Sequence, residues 1–149
     1  MGKREARGVR IEDLMDAIKG LESELGGVEA VIIYGSAARG GMGVWSDIDV
    51  LIVSDGFRGL NLPDRISLLM EHMQHPVEAL GYTYHELVRM VDRANALALN
   101  ALIDGRVVLA SRRVLELRER ASKMFRRRGR IWIPTSQSST TPKEGSNRL

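Results

Sequence analysis

The sequence predicts an α/β or α+β domain in which a short mixed sheet of three or four strands is backed by helices. Three observations predict it. Apolar residues recur at spacings of three and four in several segments, the period of an amphipathic helix. Short strand-like runs alternate with those segments, at residues 28–34, 47–53 and 77–83, the first of them apolar and β-branched. The 149 residues, 44% hydrophobic and 28% charged, have the size and balance of one water-soluble domain around one core.

The elements follow in order. Ile11, Leu14, Met15, Ile18, Leu21 and Leu25 lay one apolar stripe along a helix, and Gly26-Gly27 ends it. Residues 28–34 (VEAVIIY) read as a buried strand that runs straight into Gly35-Ser36. Residues 37–46 (AARGGMGVWS) carry three glycines, which predicts a helical turn at residues 36–39 and then a loop. Residues 47–53 (DIDVLIV) alternate at first, with Asp47 and Asp49 on one face and Ile48, Val50 and Ile52 on the other. A turn-rich connection over 54–63 leads to a helix carrying Ile66, Leu69, Met70 and Met73, which Pro76 stops. Residues 77–83 (VEALGYT) predict a third strand, 84–94 and 96–103 two short helices, and Arg106–Ala110 a small strand or extended segment. Val114, Leu117, Ala121, Met124 and Phe125 predict a last helix over about 111–127, and the tail beyond Pro134 has the composition of disorder. The resulting organisation is a domain over 1–110, a basic C-terminal helical segment over 111–130 and a disordered tail over 131–149.

Composition removes several function classes. Without cysteine there are no disulfides, thiolate metal sites or cysteine nucleophiles, so a bound metal must take oxygen or imidazole ligands. No apolar run has the length of a membrane span and the N-terminus has no secretory signal, so a cytoplasmic protein is expected. The net charge of +3 is concentrated at Arg112, Arg113, Arg118, Arg120, Lys123, Arg126, Arg127, Arg128 and Arg130. Such a stretch is either a solvated helix face or a contact for nucleic acid or an acidic protein.

The segment that carries chemistry is Gly35-Ser36, ten residues, then Asp47-Ile48-Asp49, with an apolar strand on each side. Gly35 lets backbone approach a bulky anion, Ser36 offers a hydroxyl, and the amides of the following turn face outward as donors for triphosphate oxygens. Asp47 and Asp49, two apart on a strand, aim both carboxylates at one point, an arrangement suited to magnesium bridged to phosphates. Arg39 could reach a phosphate with its forked guanidinium or lie free in the loop. His72 and His75 lack a third ligand pattern, and His85 and the methionines read as structural. Trp45 either stacks on a base or packs beneath its loop.

With these flanks, the motif closely resembles the minimal nucleotidyltransferases of the DNA polymerase beta nucleotidyltransferase superfamily, over roughly residues 11–109. The resemblance implies the polymerase-beta-like nucleotidyltransferase fold and a nucleoside triphosphate donor, ATP by preference. It also implies two Mg2+ ions held by a carboxylate triad. Gly35, Ser36, Asp47 and Asp49 match the family pattern residue for residue. The third carboxylate would be Glu78, although relatives often carry aspartate there and Glu78 could instead be an exposed glutamate. The resemblance further implies a HEPN-type helical protein partner supplied in trans, as in toxin–antitoxin pairs. The rival reading is a non-catalytic module that binds nucleotide, RNA or protein without turnover.

Overall fold

The computed structural model describes residues 9–35, 38, 44–45 (backbone only), 47–73 and 76–135. The expectations for Ser36, Arg39, His75, the Trp45 side chain and the tail from 136 onward lie outside the described residues.

A two-residue strand, β1 (Val9–Arg10), leads into helix α1 (Ile11–Leu25). Glu12 and Asp13 put negative charge in the first turn, and Gly26, at φ 81°, closes the helix through its N–H to the Glu22 carbonyl. The helix buries Leu14, Ile18 and Leu21, the stripe read from the sequence. Then come β2 (Ala30–Tyr34), β3 (Val44–Trp45) and β4 (Ile48–Val53). A 3-10 turn at Asp55–Phe57 and helix α2 (Leu62–His72) connect to β5 (Val77–Tyr82). Helices α3 (Tyr84–Asp92) and α4 (Ala96–Asp104), strand β6 (Arg106–Ala110), helix α5 (Arg112–Met124), and strands β7 (Phe125–Arg128) and β8 (Ile131–Pro134) complete the order.

The main sheet has the order β5-β4-β2-β6, with β2 antiparallel to both neighbours and β4 parallel to β5. It is the short mixed sheet that the sequence predicts. Its alternating side chains feed two core layers. Val31, Ile33, Val50 and Ile52 pack with Leu14, Ile18, Leu21 of α1 and with Phe57, Leu69 and Met73. Ala30, Ile32, Leu51 and Val53 pack with Leu87, Val91, Leu99, Leu102, Val114 and Leu117 from α3, α4 and α5. Arg65 of α2, almost wholly buried, joins the layers around the sheet edge. Its guanidinium donates to the Leu60 and Gly81 carbonyls and to both Glu86 oxygens, at 2.7–3.1 Å.

Several boundaries differ from the sequence reading. The strand expected at 28–34 starts at Ala30; Glu29, just before it, accepts from the Arg113 guanidinium and from Ser111 Oγ, which hold its carboxyl below the usual carboxylate range. Asp47 lies just before β4 rather than in it. The basic helix expected to continue to 127 within a helical segment reaching 130 ends at Met124, and the tail expected from 131 begins as a strand. Phe125 is buried in extended conformation, and β7 and β8 form an antiparallel hairpin around Gly129 at φ 63°. The hairpin is held to α4, where Trp132 Nε1 and Arg127 donate to Asn100 and Arg127 also bonds Asp104. Packing on α4 outweighs the helical spacing, as tertiary contacts commonly do.

Among the described residues no helix is long and apolar enough to cross a membrane.

Candidate active site

The site is built at one end of the sheet, where β2 leaves and β4 and β5 both enter. Tyr34 of β2 sits opposite Asp49 of β4, and Asp49 opposite Glu78 of β5. Residues directly paired across strands point to the same face. Tyr34, Asp49 and Glu78 therefore form one row across three strands, on the face of Leu51 and Val53. Asp47, exposed and two residues before Asp49, adds a third carboxylate at the margin. The structure thus places Asp47, Asp49 and Glu78, three residues of the expected site, at one end of the sheet, from β4, the position just before it and β5, although among the described residues their ligating oxygens do not all lie within 4.8 Å of one another.

The electrostatics match this crowding. Partial burial raises the Asp49 carboxyl above the ordinary carboxylate range, and the negative charges of Glu78 and Asp47 push it further. The Tyr34 hydroxyl is pushed up to about 12 by burial and then by Asp49, Tyr82 and Glu78. Among the described residues no Lys, Arg or His forms an ion pair with any of the three carboxylates. Clustered anions without a cation are a strained arrangement that a bound divalent cation would relieve. The donor set, all hard carboxylate oxygen, fits magnesium and similar ions.

Gly35 follows Tyr34 directly and has φ 75°, where a side chain is strained. A Cβ there would also lie 3.0 Å from Asp49 Oδ2. The glycine therefore allows the turn and leaves Asp49 its position. Gly35→Ala is expected to cost about 1–2 kcal/mol of stability from the left-handed backbone alone, and to lower cation affinity by displacing the Asp49 carboxylate. Thermal denaturation and magnesium titration of the variant check both effects.

Tyr34 was missed in the sequence reading. Its place as the last residue before Gly35 is visible there, but its pairing with Asp49 depends on a register that composition does not carry. Elsewhere, Glu24, Glu71 and His72 bring ligating atoms within 4.8 Å of one another at the surface between α1 and α2. His72 Nε2 contacts Glu24 at 2.5 Å, so the histidine singled out beside His75 has a carboxylate partner.

Residues 14–107 match the family model described as a nucleotidyltransferase domain. The chain belongs to the nucleotidyltransferase domain family. The matched stretch of this nucleotidyltransferase domain runs from α1 into β6 and contains the whole carboxylate row, while α5 and the β7–β8 hairpin lie beyond it. None of the curated proteins matches the sequence. Among solved structures, the chain is similar to a crystal structure from Sulfolobus solfataricus provisionally called a nucleotidyltransferase. Identity is 22%, coverage 65% of this chain and 77% of that one, and the TM-score 0.46.

Proposed function

We propose that this nucleotidyltransferase domain moves a nucleoside monophosphate, AMP by preference, from a nucleoside triphosphate to an acceptor hydroxyl in the cytoplasm. The observation that carries the reading is the in-register placement of Asp49 beside Glu78, with Asp47 at the margin of the same end of the sheet. In this reading Asp47, Asp49 and Glu78 hold two Mg2+ ions. Bound there, the ions neutralise charge on the transferring and leaving phosphate oxygens.

The chain's own groups supply position. Gly35 lets the backbone come close to the triphosphate, and Ser36 and Arg39 are its proposed contacts. The acceptor oxygen forms a bond to the α-phosphorus as the bond from that phosphorus to the β-phosphate oxygen breaks. Pyrophosphate leaves, and the acceptor's proton passes to Glu78.

By the family resemblance the acceptor is a residue of a HEPN-type partner. Nucleic acid is the weaker choice of acceptor or partner, because much of the basic stretch is already committed within the chain. Arg113 pairs with Glu29 and Asp55, Arg118 donates to the Leu102 carbonyl, and Arg120 and Arg127 pair with Asp92 and Asp104.

The test is incubation of the purified chain with ATP labelled at the α-phosphorus, magnesium, and co-purifying protein and RNA. Label on an acceptor with the wild type, but not with the Asp47→Asn, Asp49→Asn double variant, is the expected result. Metal-dependent ATP binding with no transferred label would instead establish a non-catalytic nucleotide-binding module.

A further inference from the structure

Strand β5 ends the sheet, and one side of its backbone faces outward. The Pro76 and Tyr82 carbonyls accept from Ile48 and Ser54, on the β4 side. By alternation, the main-chain groups of Val77, Ala79 and Gly81 point to the open edge. Arg65 takes the Gly81 carbonyl at 3.1 Å, leaving the Val77–Ala79 stretch available.

Helix α2 runs beside this edge and exposes Leu62, Ile66 and Met70 at spacings of four, with relative exposures of 56%, 43% and 61%. Between the helix and the strand lies a groove of about 410 Å³ whose walls include Ile66, Met70, Val77, Ala79 and Leu80. An open strand edge and a contiguous apolar stripe in one place are features that proteins cover.

The ends of this surface carry opposite charge. Glu78 lines the groove at the start of β5, with Asp49 and Asp47 next to it. At the other end, beside Tyr82, a hollow of about 380 Å³ is lined by Arg89 and Arg93. The carboxylate there, Glu86, is committed to Arg65 through two bonds of 2.7 and 3.0 Å. Among the described residues neither Arg89 nor Arg93 has a salt bridge.

We propose that the β5 edge and the α2 stripe form a two-fold interface with a second copy of this chain. A two-fold contact presents one patch to itself, reversed end for end, so it needs a patch that complements its own reversal. An apolar centre between a basic end and an acidic end meets that requirement. The stripe of each copy covers the stripe of the other, and Arg89 and Arg93 of each copy face the Glu78 end of the other.

Sedimentation velocity of the full chain at micromolar concentration tests this, with circular dichroism as the control for folding. The wild type is expected at twice the chain mass. Ile66→Glu, which places a charge at an already exposed position, is expected at the single-chain mass with an unchanged spectrum. Arg93→Glu is expected to weaken association by about tenfold or more, because the two-fold repeats the loss of a close charge contact at both ends of the interface. A wild type that sediments as a single chain would overturn the proposal and leave the groove to a different partner. A dimer indifferent to both substitutions would overturn it in favour of another face.

Discussion

Asp49→Asn is expected to reduce nucleotidyl transfer by about a hundredfold to a thousandfold or more, while the folded chain becomes no less stable. The activity loss follows from removing the central member of the carboxylate row. Metal ions at such centres supply several kcal/mol of transition-state stabilisation, and each 1.4 kcal/mol is tenfold in rate. The stability effect has the opposite sign for a physical reason. Burial and the neighbouring charges of Glu78 and Asp47 all disfavour the ionised Asp49 carboxylate, so a neutral side chain of the same shape relieves repulsion. Its raised carboxyl range means that, near neutral pH and without a cation, the ionised group opposes folding. Transfer assays paired with thermal denaturation in chelator measure both quantities. A variant that loses activity because it unfolds would contradict this account, as would one that retains transfer.

Arg65→Ala is the substitution expected to cost the fold most among those considered, about 3 kcal/mol. Breaking a buried ion pair by removing one partner costs roughly 3–5 kcal/mol, and Glu86 is partly solvated, which favours the lower end. The variant also abandons the Gly81 and Leu60 carbonyls and the contact of the guanidinium over the Phe57 ring, 5.5 Å from its centroid. Urea denaturation gives the value. The double variant Arg65→Met, Glu86→Leu should recover part of the loss, because no charge is then left buried without a partner. Equal destabilisation by the single and double changes would show that the carbonyl contacts, not the ion pair, dominate.

The parts of the fold legible in the sequence were those with strong local punctuation. Helix α1 runs from Ile11 to Leu25 as read, because its stripe is regular and Gly26 supplies a left-handed stop. β4 announced itself through Ile48, Val50 and Ile52, and the family resemblance drawn from Gly35, Asp47 and Asp49 agrees with the match over 14–107. The β1–β3 ladder was not legible, since two residues on each strand leave no periodic trace. The β7–β8 hairpin was hidden because Phe125 falls at helical spacing after Ala121, and only its burial and the attachment of Trp132 and Arg127 to α4 select the extended form. Arg65 gave no signal either. One arginine on an amphipathic helix reads as surface, and its burial depends on Glu86 and Gly81 arriving from later in the chain.

The row Tyr34, Asp49, Glu78 draws on three strands that emerge at different times from a chain made N-terminus first. The antiparallel pair β2–β4 can assemble from local sequence and already bears Asp47 and Asp49. Glu78 arrives only when β5 has crossed over through α2 and added alongside β4, a longer-range closure that forms more slowly. The addition of β5 therefore increases the charge repulsion that Asp47 and Asp49 already share on that pair. A cation present at that moment would favour completion of the sheet, so the ion proposed for the chemistry would also act on how readily the newborn chain matures.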